Sequence, residues 1–281
     1  MFAAKRACRA FLAGLMGLAL LSWAGGALAA DREKLEAFLE VTGFDVALES
    51  IRLSADSAPQ MLGIEADAFG SEWSRLVREV FDTDTMHEMA LDILSQTLDD
   101  DALAHVAAFY AGDLGRRLVE AENRSHMVEE ADVKTQSGAD ILAGLAAKSS
   151  PRLGLLERLN DASDVENTAV HAVQEVQIRF LMAAAGAGVI ELRMDESDLR
   201  DAMRSQEPQV REAMRQGALE NAAYTYQAFS DAEVEAYAEA LEHPKMQEVY
   251  TLMNAVQYEI RANRFEAVAL RLGGMQLSQD L

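Results

Sequence analysis

Residues of the types that do chemistry occur in this chain in several suggestive patterns, and each pattern breaks at a required position. His87-Glu88 opens like a zinc-protease helix, in which two histidines four residues apart hold the metal and the glutamate is the base. Leu91 stands where the second histidine is needed. The five histidines, His87, His105, His126, His171 and His243, contain no i, i+3 or i+4 pair, so a histidine zinc site would require long-range assembly. Asp82-Thr83-Asp84 starts like a calcium loop, yet His87 replaces the glycine of the sixth position and Ile93 the glutamate of the twelfth. Asp99-Asp100-Asp101 reads as a helix cap and first turn, where carboxylates favour the helix dipole. Gly186-Ala187-Gly188 holds two of the three glycines of a dinucleotide fingerprint with no strand-like run ahead of it, and close helix packing is the better reading. Met86 and Met89 read as core residues instead of a copper site. No Gly-x-Ser-x-Gly elbow and no phosphate loop is present. No cofactor, metal or catalytic residue is therefore expected. A carboxylate pair could hydrolyse a glycosidic bond, but with 47 acidic residues the spacing nominates none.

The elements that would position such groups are helical. Phe69, Trp73, Leu76, Val77, Val80 and Phe81 form one apolar stripe, as do Met246, Val249, Tyr250, Met253, Val256 and Ile260. No sustained period-2 alternation and no Asn-Gly or Asp-Gly hairpin turn occurs. The expected fold class is all-α, with roughly ten helices of ordinary length. A 281-residue chain that is 50% apolar can bury a substantial core.

The N-terminus reads as a signal peptide over residues 1–29. Lys5, Arg6 and Arg9 precede the apolar run Phe11 to Trp23, and Ala27-Leu28-Ala29 makes a small-x-small cleavage site. The run is short of the roughly 20 residues of a spanning helix, so cleavage near Ala29, a periplasmic address and no stable membrane insertion after cleavage are expected. Cys8, the one cysteine, leaves with the leader, and the mature chain then has no thiol to oxidise. Loss of three basic residues leaves 22 against 47 acids, a net charge of −25 in place of −22. Such a field repels nucleic acid and anionic bilayers.

From Glu129 to Ser150 the sequence turns small and polar, with Gly138, Gly144 and the break Ser149-Ser150-Pro151. This predicts a helical module over 30–130, a linker or loose helix over 131–150, and a second helical module over 151–281. Segments 131 positions apart share a pattern. Leu98 to Ala107 aligns with Phe229 to Ala238, each a large apolar residue, then a capping residue, then apolar residues at helical spacing. After each, the helix stops at Gly112 or Pro244 and another begins at once.

The stretch from Ala102 to Leu118 resembles the signature of the domain of unknown function 2059 family, exported bacterial helical proteins in which a helix ending in Phe-Tyr turns sharply into another. Phe109, Tyr110, Gly115 and Leu118 fit that signature, and the second, diverged copy keeps its proline at Pro244. Gly112-Asp113 stand where the family has Ser-Pro. The resemblance implies a helix-hairpin corner and no particular activity. An aromatic pair can pack beneath the following helix while Gly or Pro makes the reversal. The function expected is that of a non-catalytic binding or interaction protein of the cell envelope, taking an envelope protein or an apolar ligand in a groove between helices. A carboxylate-dependent envelope hydrolase is the alternative.

Overall fold

The computed structural model describes residues 32–55, 59, 62, 70–128, 130–163 and 165–274. Residues 1–29, read as a signal peptide, lie outside them with Cys8, and so does Phe69. The protein is all-α, with no strand among the described residues. Its helices are α1 (32–42), α2 (Phe44–Ser54), α3 (Gly70–Val80), α4 (Thr83–Thr97), α5 (Asp100–Tyr110) and α6 (Asp113–His126). They continue as α7 (Ala131–Ala147), α8 (Arg152–Ala162), α9 (Val165–Gly186), α10 (Glu196–Thr225), α11 (Asp231–Leu241) and α12 (Pro244–Leu272).

The helix starts are written in short polar side chains that satisfy otherwise orphaned amides. Asp82 accepts from the Thr85 amide at 2.9 Å, so the calcium-like triplet begins α4. Asp99 accepts from the amides of Asp101 and Ala102 and begins α5, and Asp195 accepts from Asp198 and begins α10. Ser230 and Glu233 form a reciprocal capping box at α11. The Ser230 amide and hydroxyl, with Arg117, hold the Glu233 carboxyl down at about 2. Pro244 takes the first turn of α12, where its missing N–H costs nothing.

Helix α12, 29 residues and about 44 Å long at ~1.5 Å per residue, is the spine. It packs most extensively on α9 and also on α3, α4, α5 and α11. Met246, Val249, Met253, Val256 and Ile260 of its predicted stripe are all buried, and Phe265 sits edge-on to both Phe81 and Phe180 with ring centroids 5.3 Å apart. Each such edge contact adds roughly 0.5–1.5 kcal/mol to the burial of the rings. Trp73, Leu76, Val77, Val80 and Phe81 of the first stripe are buried too. Residues 131–147 form a 17-residue helix, α7, lying along α10, with Gly138 against the backbone of Glu220. The chain then turns at Ser149 (φ 49°) into α8. One buried apolar cluster draws on helices from both sides of this segment.

The glycines near 186 act differently from the close packing expected of them. Open space surrounds the positions where Cβ atoms of Gly186 and Gly188 would lie. Gly188 instead ends α9 in the left-handed region (φ 74°), with the Gly188 and Val189 amides donating to the carbonyls of Ala185 and Ala184. This is the Schellman arrangement, which favours glycine because it lacks a Cβ. The close approach belongs to Gly273, which meets the Ala187 carbonyl.

Candidate functional site

The family-signature residues build a tight corner between α5 and α6. A Cβ on Gly115 would stand 2.3 Å from the Phe109 carbonyl oxygen and 2.5 Å from Tyr110 Cα, so glycine alone lets α6 start against the end of α5. Leu118 is fully buried beneath the turn. Phe109 stacks on Tyr237 of α11, centroids 5.9 Å apart, and meets Tyr110 edge-on. Pro244 stands at the equivalent turn between α11 and α12.

Inward of this corner, four tyrosines from four different segments converge on one glutamate. Tyr110 ends α5, Tyr226 caps α10, Tyr237 lies within α11 and Tyr250 within α12. The Tyr237 hydroxyl lies 2.9 Å from that of Tyr110 and 2.7 Å from that of Tyr250, and Tyr110 and Tyr250 also bond each other. Tyr226 and Tyr237 both donate to Glu122 Oε1 of α6, at 2.8 and 2.9 Å. Burial pushes the Glu122 carboxyl above its usual range, opposed only in part by those two donors. Burial likewise raises all four phenols, with that of Tyr250 held by the Tyr110 and Tyr237 hydroxyls. At neutral pH the tyrosines are neutral donors and acceptors.

This cluster forms one end of a cavity of about 360 Å³, within the size range of small-molecule sites. Phe38, Phe44, Val106, Leu159 and Met253 supply its apolar wall. Asn123, Asn160, Asn221, Asn254 and Gln257 add amides, and Ser125, Thr225 and His126 line it as well. Where α2 approaches α6, Gly43 adopts φ 70°, and a Cβ there would meet Asn123 Oδ1 at 2.5 Å. Asn160 is 8% exposed, and its Nδ2 donor has no hydrogen-bond partner. A buried donor without a partner costs about 1–3 kcal/mol, and Asn160 is one of the residues of the lining. The lining is thus amphipathic, where the sequence suggested an apolar groove.

Among the described residues, Glu122 is the single carboxylate of the lining. Among the described residues no three metal-binding side chains cluster. His105 and His243, far apart in sequence, stack with ring centroids 4.0 Å apart at the α5–α12 contact, and His87 Nδ1 lies 2.6 Å from Asp45. No described helix is long and apolar enough to cross a membrane.

Of the five family-motif positions read from the sequence, Tyr110 alone reaches the cavity; Phe109, Gly115, Leu118 and Pro244 shape the corners that hold it. His126 lines it too, and Tyr237 and Tyr250 were read only as positions on helices; Glu122, Tyr226 and Asn160 escaped the sequence reading. The available signal was a carboxylate in core register, since Glu122 follows Gly115, Leu118 and Val119 at i+7, i+4 and i+3, all three of which are buried.

No curated protein and no solved structure matches the chain. Residues 84–143, a stretch holding Phe109, Tyr110, Gly115, Leu118 and Glu122, match the model of a family described as "Uncharacterized protein conserved in bacteria (DUF2059)".

Proposed function

We propose that this is a non-catalytic binding protein of the bacterial cell envelope that takes a small amphipathic molecule into the cavity between α1–α2, α5–α6, α8 and α10–α12. The observation that carries the reading is the amide- and tyrosine-lined cavity with an unpartnered buried donor, Asn160 Nδ2. Polar groups fixed by helices and aimed into a preformed space are what a specific small ligand requires. Binding is favoured over hydrolysis because glycoside hydrolysis needs two carboxyl groups about 5–10 Å apart, and the lining has one. The envelope address rests on the leader at residues 1–29.

The two corners descend, in this reading, from one duplicated unit. Helices α11 and α12 begin 131 positions after α5 and α6, and α5 and α11 end 131 positions apart. Asp99 and Ser230 cap the paired helices, and Leu103 and Val234, Val106 and Tyr237, and Tyr110 and Leu241 are buried at matching positions. Both corners contribute side chains to the one cavity.

Native mass spectrometry of the protein isolated from its host periplasm tests the reading. A small molecule at one per chain, absent from the Asn160→Leu variant, is the expected result. An empty wild-type chain whose melting temperature no fraction of the host's small molecules raises would sink it.

A further inference from the structure

One end of the cavity carries a second feature, cations without anions. His126 lines the cavity and also a neighbouring cleft of about 290 Å³, whose wall includes Ser125, Lys134 and Asn221. Ser125, His126 and Asn221 are common to both spaces, so the cleft and the cavity meet at His126. Lys134, partly buried, donates to the Ser125 carbonyl at 2.9 Å. No carboxylate lines the cleft among the described residues. Arg261 lies one turn beyond Gln257 on α12, outside the residues that line either space, and its charge acts on His126. Tyr250, Asn254, Gln257 and Arg261 follow one another at i, i+4, i+7 and i+11, a single stripe of the helix, and the first three line the cavity. Arg261 Nε is buried without a hydrogen-bond partner, and the guanidinium meets only the Tyr258 ring, 6.0 Å from its centroid.

This is anomalous in a chain with 47 acidic residues against 25 basic ones. Several other arginines are paired with acids, while Arg264 bonds Asn263 and the Val80 carbonyl. Arg158 grips Glu242 with two 2.6 Å bonds, Arg179 reaches both Glu259 and Glu266, and Arg200 reaches Glu175 and Glu196. Lys134 and Arg261 form no ion pair among the described residues, and both are held below their usual pKa range by burial. The protein packed around His126 lowers its pKa, and the Lys134 and Arg261 charges lower it further. An unpaired buried cation is costly, and one oxyanion placed among these three groups would relieve all of them at once.

We propose that the ligand is a small organic oxyanion, a carboxylate or a phosphate ester, whose charged group sits among His126, Lys134 and Arg261. Its uncharged body reaches past Asn254 and Gln257 towards Asn160 and the tyrosine cluster. The inference deepens the binding reading above and rests on it for the body of the ligand; the anion site itself stands on the unpaired cations. The surface field, negative overall, disfavours anions at long range, so selection occurs only at this recess, where the cations are desolvated and their bonds are strongest.

The experiment uses protein from the host, isotope-labelled at histidine and tyrosine. Its probes are inorganic phosphate, acetate, benzoate, phenyl phosphate and neutral benzamide. Phosphate or acetate should move the His126 ring signals saturably and raise its pKa, and the Lys134→Gln/Arg261→Gln variant should lose that response while the His171 signals stay unmoved in both proteins. Benzoate or phenyl phosphate should bind at least about tenfold more tightly than benzamide, the ratio collapsing in the double variant, since charge-assisted hydrogen bonds are the strong ones. The stronger of the two acids identifies the oxyanion. If phosphate and acetate leave His126 unmoved and benzamide matches benzoate in shifting the tyrosine signals, the anion inference is overturned and the cavity reading survives. If the anions act at His126 but no organic probe reaches the tyrosines, the anion site stands and the cavity reading falls. If no probe acts at either place, both fall. A benzoate preference that persists in the double variant overturns the assignment to these cations.

Discussion

Tyr237→Phe removes one oxygen and tests whether the tyrosine cluster binds the two corners together. The side chain is 2% exposed, and its ring keeps the contacts with Phe109 and Tyr226 when the hydroxyl is lost. The hydroxyl lies 2.9 Å from Tyr110 Oη, 2.7 Å from Tyr250 Oη and 2.9 Å from Glu122 Oε1. It can donate once and accept twice. Its donation goes to Glu122, which is then left with Tyr226 alone. Tyr110 and Tyr250 have one proton each for the three contacts among the three hydroxyls, so two of those contacts are hydrogen bonds at any moment, and without Tyr237 Oη the pair keeps the one bond to each other. The net loss is two bonds at about 1 kcal/mol each, or about 2 kcal/mol together. For a domain of this size that corresponds to a fall in Tm of roughly 4–8 °C. Urea unfolding followed by circular dichroism at pH 7 would measure it, with an unchanged m value showing that only stability moved. In a double-mutant cycle, Glu122→Gln should couple to Tyr237→Phe but not to a surface change such as Glu120→Gln. A Tyr237→Phe protein within about 0.5 kcal/mol of wild type, the range of inert surface substitutions, would refute the reasoning.

Glu122 makes stability depend on pH in a definite direction. Its folded pKa is raised above the ordinary 4.5 by burial, so the group's contribution is complete below the unfolded value and is lost as pH rises through the folded one. Glu122→Gln keeps an acceptor oxygen and cannot ionise, so its urea midpoint should gain on wild type as pH rises above the ordinary carboxylate range; a constant or reversed difference counts against the buried acid. Gly115→Ala should destabilise by at least about 2 kcal/mol, because the added carbon meets the backbone of Phe109 and Tyr110 and cannot be relieved by rotating a side chain; equal melting curves for variant and wild type would contradict the corner geometry. Protein recovered from its host should begin at Ala30 or within a residue or two by mass spectrometry, and an intact Met1 would overturn the export expectation.

Helices were legible in the sequence because their determinants are local. Asp82, Asp99, Asp195 and Ser230 cap helices by bonding amides two or three residues away, and a stripe such as Met246 to Ile260 needs only the 3.6-residue period to declare its buried face. The corner at Gly115 was equally local, since its constraint is the Phe109 carbonyl six residues earlier. Glu122 and Asn160 were lost among many acids and amides because nothing beside them in the chain marks them. Glycines 186 and 188 misled for a related reason: the same residue type serves a left-handed cap and a close approach, and the spacing does not distinguish the two.

What the sequence determined by itself, then, was the helical period, the caps, the sharp corners and the balance of charge, each a matter of neighbours within a few positions. The tertiary structure alone decided that Tyr110, Tyr237 and Tyr250, drawn from helices up to 140 positions apart, share one set of hydrogen bonds with Glu122. It also decided that His126 and Lys134 share one cleft with no acid in its wall among the described residues, and that the Arg261 charge acts on His126. Burial sets the cost of each polar group, and burial depends on which helix lies across from it. A linear pattern can give a residue's place on its own helix face, but the neighbour opposite is chosen only when the helices pack.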